Sequence, residues 1–222
     1  MVIYSLVKIG KPEHLDDFRK TGRMRMPRVA TFQGLEDNVG RGDPHDGVTA
    51  WLQPDKCVVK FKDITFTGLV SPVAVSHEDT ALHHVFCLHA ITSHRLPAVL
   101  AEGAPAIDPE NFKLGTHALI ITNTTEFIRR VTVAAKRAKV GLIAGPVEYL
   151  DPDVYHGEVG AFRKFKSYAY QSEWRILVDP TDKEILWLEL NGGLEDISQV
   201  VRTADINAGI KFSLPDDTDR RA

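Results

Sequence analysis

Residues 165–178 read FKSYAYQSEWRILV, and this stretch decides the prediction of the fold. Its second half, Glu173–Val178, mixes β-branched and aromatic residues with polar ones and stops before an Asp-Pro pair, which predicts a β-strand. Because alternate side chains of a strand share a face, we expect Gln171, Glu173 and Arg175 on one side, about 7 Å apart in turn. This set of side chains either lines a cleft or forms an exposed face with a weak Glu173–Arg175 ion pair.

The rest of the chain predicts many strands and few helices. Strand patterns occur at residues 2–7, 24–29, 48–52, 57–61, 64–67, 68–73, 83–91, 115–121, 140–143, 147–150 and 185–190. Helical patterns occur at residues 12–21, 97–102, 123–138 and 194–201, the third with Thr124 or Thr125 as its N-cap. We therefore expect one sheet-rich α+β domain over residues 1–214 and a polar C-terminal tail over 215–222.

Composition limits the class of protein. The chain has 222 residues, 43% hydrophobic content and a formal net charge of −3, which fits a soluble globular protein without a footprint for non-specific nucleic-acid binding. No apolar run approaches the roughly 18 residues that cross a bilayer, and the N-terminus does not resemble a signal peptide. Cys57 and Cys87 are expected to be free thiols. We therefore expect a cytoplasmic protein with no membrane partner.

A glycine-rich loop at residues 31–47, TFQGLEDNVGRGDPHDG, is the second informative stretch. It includes a short turn predicted at residues 32–37. Phe32, Arg41 and Asp43 either contact a ligand from this loop or belong to a solvated loop held by Asx turns.

Metal chemistry is not favoured. His83, Cys87 and His89 share one face of a predicted strand but spread over about 20 Å, too far to bind one tetrahedral ion. Phosphate-binding, hydrolase and zinc-protease motifs are missing from the sequence. A metal-dependent nuclease that uses Asp43, His45, Asp46 and the strand at residues 83–89 is the least favoured alternative, because the ligand spacing is poor and acidic pairs at a consistent spacing are missing.

Gln171-Ser172-Glu173 has the Q-x-E form found on the late catalytic strand of many mono-ADP-ribosyltransferases, and the order of elements resembles DNA-modifying toxins of the DarT type. The resemblance implies NAD as a substrate and the transfer of ADP-ribose to a macromolecule. It further implies a DNA, RNA or protein acceptor, a toxin or phage-defence setting and an antitoxin or immunity partner. Tyr4 replaces the histidine that often stands on the first strand of such enzymes.

The roles implied by this resemblance are chemically coherent. Cleavage of the nicotinamide–ribose bond builds oxocarbenium character, which the Glu173 carboxylate would stabilise while Gln171 holds the acceptor. NAD would be bound by side chains of the first strand and the glycine-rich loop, with the arginine on the pyrophosphate and one aromatic ring on the nicotinamide. These residues are Tyr4, Phe32, Arg41 and Asp43.

A closer resemblance covers about half of the chain and implies no activity. The late segment is similar to that of widespread bacterial proteins of unknown function, whose lysine and aromatic residue precede E-x-E-W-R. The matching residues are Lys166, Tyr170, Gln171, Glu173, Trp174 and Arg175, followed by LEDIS at 194–198. The alternative to a transferase is therefore a non-enzymatic interaction protein, in which Glu173 and Arg175 form a structural ion pair and Trp174 packs in the core. In this alternative the loop at residues 41–43 is a partner-binding edge.

Overall fold

The computed structural model describes residues 2–35 and 40–210, which form an α+β fold. Its strands, numbered along the chain, are β1 (Ile3–Gly10), β2 (Arg23–Pro27), β3 (Ala50–Leu52), β4 (Val59–Phe61), β5 (Ile64–Phe66), β6 (Val73–Val75), β7 (His84–Thr92), β8 (His117–Ile121), β9 (Leu142–Pro146), β10 (Glu148–Leu150), β11 (Gly157–Glu158), β12 (Arg163–Phe165), β13 (Glu173–Val178), β14 (Ile185–Glu189) and β15 (Ser198–Arg202). Its α-helices are α1 (Pro12–Thr21), α2 (Ala30–Gln33), α3 (Glu78–Leu82), α4 (Leu96–Glu102), α5 (Thr124–Ala138) and α6 (Thr203–Gly209), and 3-10 helices span Pro109–Leu114 and Lys166–Gln171.

A six-stranded antiparallel sheet forms the centre of the fold. Its strands lie in the order β15-β8-β1-β7-β13-β9. Strand β13 therefore lies inside the sheet, between β7 and β9, and all six of its residues are buried. The prediction of a strand at Glu173–Val178 is confirmed.

One face of this sheet packs against α1, α5 and the antiparallel pair β2–β14. The core here is apolar, and Trp174 and Ile176 of β13 belong to it. Met24 and Met26 of β2 are fully buried, as their alternation with exposed arginines predicts. This face holds most of the apolar core and fixes the position of β13.

The opposite face is mixed. One end is an apolar cluster around Ile107 and Ile206, and the other end includes Val85 and Leu177. The charged side chains of β13 lie on this face, where they meet residues that come from the two-stranded sheet β10–β12 and from the loop before the three-stranded sheet β11–β3–β6. The candidate site lies on this face.

Two predictions for the helices are wrong. Residues 194–201 do not form a helix: their second half is strand β15, because β-branched residues there pair with the edge of β8. Helix α6 then begins at Thr203. The N-cap of α5 is Asn123 rather than Thr124 or Thr125, since the Asn123 side chain accepts a hydrogen bond from the Glu126 N–H at 3.0 Å.

The four strands predicted within residues 48–73 do not form one sheet, and residues 68–72 are not part of a strand. Strands β3 and β6 pair with each other, whereas β4 and β5 form an isolated two-stranded hairpin. Helix α2 replaces the first part of the turn predicted at residues 32–37, and residues 36–39 lie outside the described part. The predicted tail at 215–222 also lies outside it.

Candidate functional site

Glu173 and Arg175 project from β13 on the face away from the helices. In the register with β7, Glu173 lies opposite His89 and Arg175 lies opposite Cys87. Glu173 is 5% exposed and Arg175 is 0% exposed. The shared face is confirmed for Glu173 and Arg175 but not for Gln171, which lies outside the strand, and the alternative of an exposed face with a weak ion pair is wrong.

The guanidinium of Arg175 is fully engaged. It donates to both carboxylate oxygens of Asp46, at 2.7 and 2.8 Å, and to the carbonyl oxygen of Ala161 at 2.6 Å. It also donates to both oxygens of Glu173. A guanidinium has five N–H groups, and these contacts use all of them.

Lys164 of β12 is the second buried cation at this site. Its Nζ lies 2.8 Å from Glu173 Oε2 and 3.9 Å from the nearer Asp46 oxygen, and it donates to Gln171 Oε1 at 3.0 Å. The ring of Tyr168 lies 5.2 Å from the same nitrogen. We call Asp46, Lys164, Glu173 and Arg175 the buried charge network.

The network balances two positive and two negative side chains. Burial alone would raise the pKa of Glu173, but Arg175 and Lys164 outweigh it and hold that pKa well below its usual range. Burial likewise opposes the charge of Lys164, and Glu173 raises the pKa of that amine above its usual value. Each charge is therefore stabilised mainly by the others, so removal of one member leaves an unpaired buried charge.

Two weakly acidic groups border Glu173. Burial, together with the Glu173 charge, raises the pKa of Cys87 to about 12. This thiol remains protonated at neutral pH and is not a nucleophile. Tyr149 accepts a hydrogen bond from the backbone N–H of Glu173 at 2.8 Å, and burial raises the pKa of its phenol.

His89 is a buried neutral imidazole. Its Nδ1 lies 2.7 Å from the carbonyl oxygen of Gln171, which fixes the proton on Nδ1. Nε2 is then an acceptor, and it has no hydrogen-bond partner. Burial lowers the pKa of His89 to about 4.

Two hydrogen bonds hold the glycine-rich loop beside the buried charge network. Gln171 Nε2 donates to the carbonyl of Gly40 at 2.8 Å, and Tyr168 donates to the carbonyl of Gly42 at 3.2 Å. A Cβ at Gly42 would lie 2.0 Å from the carbonyl oxygen of Leu35, so this close approach requires glycine. The loop thereby brings Asp46 to Arg175.

Four of the six predicted site residues lie together. Gln171 and Glu173 both contact Lys164, and the backbone N–H of Asp43 donates to the Phe32 carbonyl at 3.0 Å. Asp43 is buried, its pKa is raised by burial, and Lys164 acts on it electrostatically. Gln171 reaches the network from the end of a 3-10 helix rather than from the predicted strand.

The other two predicted residues lie further out. Arg41 is exposed. Burial lowers the pKa of Lys8, the charge of Glu173 raises that pKa, and the charge of Arg41 lowers it, so both side chains are near Lys8. Tyr4 is 43% exposed and lies at a β-bulge of β1, where the register with β7 shifts between Ile3 and Ser5. A bulge re-aims the side chains beside it.

Two members of the network were not among the predicted transferase residues. Lys164 stands between Arg163 and Phe165 in a short strand, where alternation alone gives no sign of a buried amine. Asp46 was considered only as a nuclease ligand. Within residues 2–35 and 40–210, His, Cys, Asp and Glu side chains form no group suited to a metal ion, so the nuclease alternative gains no support.

Two surface cavities lie away from the network. An open, charged cavity of about 540 Å³ lies between α5 and the loop that connects β14 to β15. Glu126, Arg130 and Asp196 are among its lining residues. A smaller, largely apolar one of about 300 Å³ is lined by residues of β1, α5 and β13, including Leu6, Ile128 and Trp174. Glu173 lines neither cavity.

The β4–β5 hairpin exposes apolar side chains. Its register pairs Val59 with Phe66 and Phe61 with Ile64, so these four side chains share one face. Phe61 is 61% exposed, Ile64 60% and Phe66 49%. None of the four belongs to a core cluster of the described residues. We call this surface the hairpin face.

Comparison with protein-family models, with curated proteins and with solved structures gives no match for the chain. Among the described residues, no helix combines the length and apolar character needed to span a bilayer. Both cysteines are free thiols, as expected.

Proposed function

We propose that this protein is a non-enzymatic interaction protein, in which the strand of Glu173 is structural and the β4–β5 hairpin docks a macromolecular partner. The observation that carries the proposal is the hairpin face, where two phenylalanines and an isoleucine are about half exposed or more. The largest apolar patch on the surface of a soluble protein is often a binding site.

The contacts of Glu173 support the structural half of the proposal. Both carboxylate oxygens accept hydrogen bonds from Arg175, and Lys164 binds one of them as well. A carboxylate that stabilises a developing cation must be able to approach a substrate. At 5% exposure and with three charged contacts, Glu173 is committed to the interior.

Site-specific photo-crosslinking in living cells tests the docking half. A photoreactive residue at position 61 samples the hairpin face, and the same residue at position 65 samples the opposite side of the same hairpin. We expect a defined adduct from position 61 and none from position 65. Equal labelling at both positions, or none at either, would remove the proposal.

We propose an NAD-dependent ADP-ribosyltransferase acting on a macromolecule as a second candidate. It is favoured by one observation: Gln171 and Glu173 contact Lys164, and Asp43, from a distant part of the chain, lies within electrostatic range of the same amine. In this candidate, substrate binding would have to release Glu173 from Arg175 and Lys164. The glycine-rich loop, which supplies Asp46, is the element whose displacement would begin that release.

Calorimetry with NAD separates the two candidates. The transferase candidate requires binding that weakens in Arg41→Ala, a substitution of an exposed residue. It also requires that Glu173→Gln abolish any NAD turnover. The interaction candidate predicts no heat of binding at millimolar NAD for the wild type or either variant.

A further inference from the structure

We propose that the outer face of the β2–β14 pair binds a short stretch of single-stranded nucleic acid, with Trp187 against a base and Arg23 and Arg25 on phosphates. We call these three side chains the basic ribbon. The basic ribbon shares no residue with the hairpin face, so this inference stands independently of the proposed docking function.

The pairing of β2 with β14 places two arginines beside a tryptophan. The register sets Trp187 directly opposite Arg25. Arg23 and Arg25 flank Met24, whose side chain is fully buried in the core, so both arginines lie on the outer face of the pair. Trp187 follows Arg25 by about 160 residues in the chain, and the sequence alone therefore gives no sign of this surface.

Both guanidiniums of the basic ribbon are available to a ligand. Among the described residues, neither side chain donates a hydrogen bond, and Arg25 has no ionic partner. Arg23 faces the exposed carboxylate of Glu189 at 3.9 Å, beyond hydrogen-bond range. By contrast, the exposed Arg202 donates to Asp205 at 2.8 Å. The N–H groups of Arg23 and Arg25 can therefore bind acceptors such as phosphate oxygens.

Trp187 supplies a ring for stacking. It is 43% exposed, whereas Trp174 is buried in the core. The Arg23 guanidinium lies 4.8 Å from the centre of the Trp187 ring, which holds the indole in one orientation. An exposed aromatic ring beside arginines matches single strands, because their unstacked bases can lie against the ring while the phosphates meet the cations.

The local charge of this surface is opposite in sign to that of the whole chain. The chain has a formal net charge of −3, whereas the outer face of the β2–β14 pair carries two arginines and one carboxylate, Glu189. Arg137, near the end of α5, adds a third cation where it donates to the carbonyl of Glu189. This surplus fits a polyanion bound weakly and in a salt-dependent manner. An acidic peptide would meet the same cations but would leave the stacking ring unused.

Fluorescence anisotropy of the full chain with a labelled oligothymidylate of about twelve nucleotides, at low salt, tests the inference. The wild type should bind with a dissociation constant of about 10–100 μM, and the affinity should fall as salt is added. Trp187→Leu should weaken binding at least about fivefold, because it removes the stacking ring. Arg25→Ala should weaken it by a similar factor and make the salt dependence less steep.

Arg202→Ala is the matched control, since it removes the same charge from an exposed arginine in a different sheet. It should leave the affinity within about twofold. Inorganic polyphosphate separates stacking from charge: Arg25→Ala should weaken its binding, and Trp187→Leu should not. Far-UV circular dichroism checks that every variant is folded.

Three results would overturn the inference. One is a wild type that does not bind the oligonucleotide at low salt, and another is a Trp187→Leu variant that binds it like the wild type. The third is an Arg202→Ala effect equal to that of Arg25→Ala, which would show that binding follows overall charge. A polyglutamate peptide that competes as well as unlabelled oligonucleotide would likewise reject nucleic acid and assign the basic ribbon to an acidic protein partner.

Discussion

The buried charge network and the β4–β5 hairpin depart in opposite directions from the usual distribution of polar and apolar side chains. The network places Asp46, Lys164, Glu173 and Arg175 inside the protein, each with ionic partners in the same chain. The hairpin places apolar side chains outside, and its hairpin face packs into none of the described core clusters.

The two regions differ in whether folding alone explains them. A buried charge whose partners lie within the chain is explained by folding alone, because the network is neutral and well hydrogen-bonded. An exposed apolar face is not explained by folding, because the unfolded chain exposes it as well. Under the proposed function, the hairpin rather than the charged strand is the feature that binds an external partner.

The largest expected effect is on the network. Arg175→Ala should lower the free energy of unfolding by roughly 3–5 kcal/mol, since it leaves two carboxylates buried without their main partner. The matched control is Arg163→Ala, which breaks the more exposed pair with Glu148 and should cost less than about 1 kcal/mol. Denaturant unfolding measures both. Similar losses for the two variants would contradict a structural role for the network.

His89 sets the expected loss of stability in mild acid. Because burial lowers its folded pKa to about 4, below an unfolded value of about 6.5, its contribution is complete above pH 6.5 and is lost as the pH falls toward 4. The loss should be about 3 kcal/mol. His89→Asn should flatten this part of the stability profile.

The same unfolding curves, recorded between pH 7 and pH 4.5, provide the control. His14→Gln replaces an exposed histidine and should leave the difference in stability between the two pH values unchanged. If His89→Asn keeps the full acid loss, another group is responsible for it.

A smaller effect is expected at the hairpin turn. Lys62 has φ of 53°, in the left-handed region, where a residue with a Cβ is disfavoured. Lys62→Gly should stabilise the protein by about 0.5 kcal/mol or leave it unchanged. Lys60→Gly, in the regular part of β4, should destabilise it by about 0.5–1 kcal/mol. A loss of stability in Lys62→Gly would show that the Lys62 side chain makes a contact that outweighs the backbone strain.

The smallest effect on stability is expected for a substitution in the hairpin face. Phe61→Asp should change the free energy of unfolding of the monomer by no more than about 0.5 kcal/mol, because Phe61 is 61% exposed. Thermal unfolding at low concentration measures it. A loss of several kcal/mol would mean that the hairpin face is part of the core.

Much of the fold could be predicted from the sequence. The strand at Glu173, the helix that begins at Pro12 and the alternation of Met24 and Met26 with arginines follow from local periodicity, which needs no knowledge of distant residues. Strand β15 could not be predicted in this way. Its conformation is set by the edge of β8, about 80 residues earlier in the chain.

The site was predicted only in part, for a similar reason. Periodicity places Glu173 and Arg175 on one face, but it does not predict whether that face is exposed to solvent or buried. Burial is decided by Lys164 and Asp46, which reach the strand from a short parallel pair and from the glycine-rich loop. Neither partner lies on β13, so the periodicity of that strand carries no signal of them.

Hydrogen exchange followed by mass spectrometry compares the two regions in one experiment. We expect residues 173–178 to exchange only through global unfolding, because all six are buried, and residues 58–67 to exchange through local opening at a much lower free energy. Rapid exchange in the Glu173 strand, or exchange in the hairpin as slow as that in the strand, would contradict the structural role of the charge network and the separation of the hairpin from the core.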